Sequence, residues 1–117
     1  MGFDLYAVGS KERTYPTHFR NNVWLWHPLW VFIATYCDNI LSEKDIKSGF
    51  YNDGYIISKT KSKRIASRLR RLIKEGFVDI YASQYKKENE NSEYPFHKDN
   101  VIEFEKFCEQ SGGFEIW

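Results

Sequence analysis

The chain has 117 residues, enough for one domain that buries about two-thirds of its unfolded surface. Its 42% hydrophobic and 28% charged residues are proportions of a globular protein, and a net charge of +1 gives no global pull toward nucleic acid or an acidic partner. The longest apolar stretch, Leu29 to Ala34, is too short to span a bilayer, and the start lacks the charged and apolar regions of a secretion signal; a cytoplasmic location is expected.

In chain order, Phe3 to Val8 alternates and is β-prone, which predicts a short strand. Gly9 to Thr17 is polar, contains Pro16 and reads as a loop. Residues 19–26 are expected to be extended or to form a short turn. Pro28 suits the first turn of a helix, so a helix is predicted from Pro28 to about Asp38 or Asn39. Ser42 followed by Glu43 and Asp45 marks the start of a short helix that ends near Ser48-Gly49. Tyr51-Asn52-Asp53-Gly54-Tyr55 is a turn.

Ser58 or Thr60 then caps the longest predicted helix, whose apolar stripe is Ile65, Leu69, Leu72, Ile73, Phe77, Ile80, Tyr81 and Tyr85. Gly76 weakens it and marks a point of kinking or breakage. Lys86 to Ser92 is a polar loop, and Asn100 is predicted to cap a further helix stopped by Gly112-Gly113. Phe114 to Trp117 is a last short strand whose natural partner is the first. The expected fold is α+β: a mainly helical single domain, residues 1–117, with a small two-stranded sheet joining the termini. Cys37 and Cys108 lack any paired-ligand spacing and read as buried, reduced side chains.

Three of the four tryptophans, Trp24, Trp26 and Trp30, fall within seven residues. A tryptophan must satisfy one donor and either fills a core or lines a binding surface. Arg20, Asn21, Asn22 and His27 lie among them, and this mixture suits a pocket for a polar ligand or a protein interface. The candidate contact residues are Arg20, Asn21, Asn22, Trp24, Trp26 and His27, with Tyr51 and Asp53 of the nearby turn. The structural alternative puts Val23, Trp26 and Trp30 in the core and the asparagines at caps or turns, leaving Arg20 as the residue least explained by folding.

A second candidate is the basic segment 59–74, with eight Lys/Arg and no acid. There Lys61, Arg64, Arg68 and Arg71 are candidate phosphate contacts, set against the plainer reading of a solvated helix face. His18, His27 and His97 have no metal-ligand spacing, and no phosphate-binding or nucleophile-elbow motif occurs, so no catalytic residue, metal or cofactor is expected.

Several segments carry a resemblance over nearly the whole length: Gly2-Phe3-Asp4-Leu5-Tyr6, Phe19-Arg20-Asn21-Asn22-Val23-Trp24 with Pro28-Leu29-Trp30, Tyr51-Asn52-Asp53-Gly54, Tyr94-Pro95-Phe96 and Ser111-Gly112-Gly113-Phe114. With these the chain resembles a family of small hypothetical proteins of bacterial and bacteriophage genomes. It departs from that pattern at Ala7, where a Gly is usual, and at His27, where an Arg is usual. The resemblance implies a mobile-element context and a protein acting by binding a host component, a defence system being one version. The expected function is therefore a non-enzymatic binding protein for a protein partner or small polar ligand. The alternatives are a nucleic-acid-binding protein using the basic helix and a small hydrolase acting on a nucleotide-like ligand.

Overall fold

A computed structural model describes residues 2–8 and 17–117. The predicted loop at Gly9 to Thr17 lies, except for Thr17, outside the described residues. The elements run β1 (Gly2–Ala7), β2 (His18–Asn22), α1 (Val23–Tyr36), α2 (Glu43–Ser48), β3 (Tyr55–Ile57), α3 (Lys59–Lys74), α4 (Phe77–Glu88), α5 (Lys98–Ser111) and β4 (Phe114–Ile116).

The fold is α+β, as the sequence predicts, but the sheet has four antiparallel strands in the order β2-β1-β4-β3. β1 and β4 do pair, with Leu5 opposite Ile116. The two edge strands were hidden because neither alternates visibly: β2 reads His-Phe-Arg-Asn-Asn, and β3 is three residues long. Alternation nonetheless operates in both. Phe3, Leu5, Phe19, Ile57, Phe114 and Ile116 join the core, whereas Asp4, His18, Arg20, Ile56 and Glu115 occupy the opposite face.

The first helix begins at Val23 rather than Pro28. Asn22 supplies the cap, its side chain accepting from the Leu25 N–H at 2.9 Å, so the chain turns directly from β2 into α1. Pro28 therefore sits inside the helix and has no N–H to return to the Trp24 carbonyl. Ser42 and Asp45 form the full capping box of α2, and Ser58 caps α3.

At Gly76, φ is +79°, a left-handed turn that ends α3 and starts α4 as a separate helix. The break resets the helical phase. Val78 becomes fully buried, and Ile80, predicted for the core, is 65% exposed. The N-cap position of the last helix is His97, not Asn100, and its side chain makes no capping hydrogen bond; α4 continues to Glu88 into the segment read as a loop.

α3 and α5 pack closely. Ser62 Oγ of α3 donates to the Cys108 carbonyl at 2.7 Å, which lets a small hydroxyl occupy the helix contact without an unmet donor. Cys37 and Cys108 are both buried and reduced. Among the described residues no helix is long and apolar enough to cross a membrane.

Candidate functional site

The tryptophan segment divides into residues that build the fold and residues that meet solvent. Trp26 and Trp30 are 1% and 0% exposed and stack at 5.4 Å. Their ring N–H groups donate to the Gly49 carbonyl at 2.8 Å and the Ile46 carbonyl at 2.9 Å, which hangs the end of α2 on α1. A Cβ at Gly49 would lie 2.0 Å from the Trp30 ring, so the residue must be glycine for the close approach. Trp26 thus has no surface with which to touch a partner.

Asn21 is likewise buried. Its amide donates to Asn100 Oδ1 at 3.0 Å and receives the Asn100 amide at 2.8 Å, a reciprocal pair that pins the first turn of α5 to β2. Asn100, predicted as a cap, has this role instead. Asn22 is occupied as the cap of α1.

Arg20, Trp24 and His27 face outward. Trp24 is 43% exposed, with its ring 5.2 Å from Tyr94. His27 is also exposed and lies between Tyr94 at 5.2 Å and Phe50 at 5.3 Å. Four rings therefore line the outer side of the first turns of α1. Tyr94 was not anticipated, although Tyr94-Pro95-Phe96 is an apolar island in a polar stretch.

The turn after Phe50 carries this surface to the end of the sheet. Tyr51 is 56% exposed, and Asp53 is exposed with no partner among the described residues. Asn52 donates to the Gly2 carbonyl at 3.3 Å. The Gly54 N–H donates to the Ile116 carbonyl at 2.7 Å, at a φ of +93° that favours glycine, and packs against the Trp117 ring. The structure thus brings the two predicted segments, 20–27 and 51–54, to one end of the sheet.

Arg20 stands at that end. Its Nη1 donates to Asp4 Oδ2 at 2.6 Å across the β1–β2 register, and the other Asp4 oxygen meets His18 Nε2 at 2.8 Å. The guanidinium lies over Gly2, where a Cβ would come within 2.6 Å of it. Its side chain is 51% exposed against 19% for Asp4, so this is a surface pair of modest energy that fixes the direction of the arginine. Two open depressions, of about 510 and 450 Å³, meet at Arg20. The first is bounded by Leu25, His97 and Asn100, the second by His18 and Lys106, and Glu103 borders both.

The other candidates separate as well. Among the described residues His18 is the one histidine in contact with a carboxylate, whereas His27 belongs to the aromatic cluster and His97 occupies the N-cap position of α5 without a side-chain cap hydrogen bond. Among the described residues no group of three or more metal-ligating side chains assembles. On α3, Lys61 is bound to the buried carboxylate of Asp45, and Arg68 donates to the Tyr36 carbonyl and to Asn39. Arg64 and Arg71 have no partner among the described residues.

Against protein-family models, curated proteins and solved structures alike, no match is found for this chain.

Proposed function

We propose that this chain is a non-enzymatic binding protein that holds a protein partner on the rim formed by Trp24, His27, Phe50 and Tyr94, with Arg20 and the Tyr51–Gly54 turn at its edge. The observation that carries the reading is the exposure of Trp24. It sits two residues from a tryptophan sealed in the core, yet leaves 43% of its surface open beside Tyr94, the first ring of a chain that continues through His27 to Phe50. Tryptophan and tyrosine are among the side chains in which interface energy concentrates. A bacterial or bacteriophage origin, expected from the sequence resemblance, is part of the same proposal and would place the partner in the host cell. The hydrolase alternative rests on the single contact of His18 with Asp4, and the binding reading draws on a larger constellation.

The test is capture from a bacterial host lysate, followed by titration of the captured protein against wild type and variants. Trp24→Ala is expected to weaken binding by about 2 kcal/mol or more, roughly thirty-fold in Kd, with little change in melting temperature. Ile80→Ala, which trims an exposed apolar residue elsewhere, is expected to bind as wild type. Equal binding by wild type and Trp24→Ala would overturn the proposal, as would equal losses in the two variants.

A further inference from the structure

The eight cations of α3 fall into distinct groups once their partners are known. Lys61 is bound to Asp45, Lys63 to Glu109, and Arg70 to Glu105 and Glu109. These three face the flanks where α2 and α5 supply carboxylates. Arg68 is anchored by a neutral carbonyl and an amide and is paired with no carboxylate among the described residues. Lys59, Arg64, Arg71 and Lys74 have no partner among the described residues.

The helical positions of these groups matter. Ser62, Ile65, Ala66, Leu69 and Leu72 are the buried face. At 100° per residue the opposite crest is Thr60, Arg64, Ser67, Arg71 and Lys74, with Arg68 beside it. The crest is all cation and small hydroxyl until Glu75, the residue that caps the helix. Like charges one turn apart repel; Glu105 and Glu109 of α5 are engaged on the flank, which leaves Glu75 as a single carboxylate at the C-terminal end of the crest. Thr60 and Ser67 leave room for a backbone to approach, and their hydroxyls can donate to phosphate oxygens. From Thr60 to Lys74 the crest extends about 21 Å, the length of several phosphate steps along a strand.

We propose that the crest of α3, Arg64, Arg71 and Lys74 with Arg68 alongside, is a docking surface for the phosphate backbone of nucleic acid. It is a second contact surface, built from residues that the aromatic rim does not use. Lys61, Arg64, Arg68 and Arg71 are the candidates singled out from the sequence; in the structure Lys61 is bound to Asp45, and Lys74, another cation of the same basic segment, lies on the crest. Such a surface reads charge and backbone and carries no sequence preference of its own.

The test is fluorescence anisotropy of a labelled duplex DNA, titrated with the full chain from low to moderate salt. Binding at low salt is expected to fall with log salt at a slope of about −3, as expected when three or four phosphates are neutralised. The triple variant Arg64→Ala, Arg71→Ala, Lys74→Ala is expected to lose at least about tenfold in affinity and to flatten that slope. Replacing both arginines by lysine should retain binding, as should Trp24→Ala on the rim. Lys44→Ala with Lys47→Ala, two cations off the crest, is the control for diffuse charge. Absence of binding at low salt would overturn the proposal, and so would equal losses in the crest and control variants. Because crest residues are exposed, unchanged melting temperatures are expected throughout, and Arg64→Glu with Arg71→Glu gives an independent reversal of the charge.

Discussion

Asp45 is the residue on which most hydrogen bonds converge. Burial alone would raise its carboxyl, but donors from Lys61, Tyr55 and Ser42 outweigh that effect and bring it down to about 2. The same contact works in the opposite sense on Tyr55, whose phenol, donating to Asp45 at 2.6 Å, is pushed up to about 12. A carboxyl held below its unfolded value stabilises the fold above the unfolded pKa, and that stability is lost as pH falls through the folded one. Between about pH 4 and pH 2 the chain should therefore lose about 2 kcal/mol through this group. Urea denaturation across that range checks it: the loss should be present in wild type and absent in Asp45→Asn. In the sequence, Asp45 was legible only as half of a capping box. Its partners lie 10 and 16 residues further along, beyond any local pattern.

At the scale of elements, Gly76 decides how residues 59–88 are divided. A non-glycine residue held at its φ of +79° costs about 1–2 kcal/mol, and no neighbour lies within 4 Å of the missing Cβ. Gly76→Ala should therefore lower stability by about 1 kcal/mol and Gly76→Asn by less, because asparagine tolerates the left-handed region. A stabilised Gly76→Ala would mean that α3 and α4 prefer to run on as one helix. The periodicity of the sequence reads as one long helix weakened at Gly76 and carries the phase of its first part into the second, which is why Ile80 is assigned inward and Val78 is missed. The start of α1 was misplaced for a related reason. Pro28 is compatible with a first turn, but the Asn22 cap and the fixed Trp26 and Trp30 rings place the start five residues earlier.

For the molecule as a whole, the two thiols report on closure. Burial pushes Cys37 up to about 11, against a smaller opposing effect of Arg68, and raises Cys108 well above its ordinary value. Since the thiolate is the reactive form, both should resist a thiol reagent in the native state at pH 8 and react together on unfolding. Early reaction of one alone would reveal local opening. The sequence showed a single α+β domain with paired terminal strands, because those features follow from length, glycine stops and an alternating strand. It did not show β2 or β3, whose pairing with β1 and β4 is not local, or the reciprocal Asn21–Asn100 pair, which joins residues 79 apart. The candidate site was legible as a region rather than as a surface. The same run that holds Trp24 and His27 at the rim also holds Asn21 and Trp26 in the interior, and only packing tells them apart.

The division of the tryptophans also makes the chain an optical instrument. Trp26 and Trp30 are stacked on each other and shielded from water, whereas Trp24 and Trp117 are each 43% exposed, one at the rim and one at the end of the sheet. Emission should therefore contain a blue component deaf to iodide and a red component that iodide quenches. A molecule landing on the rim would shift and shelter the Trp24 part of the red component, and unfolding would abolish the blue one. Occupancy and integrity can thus be read from the same sample at two wavelengths, with no label attached.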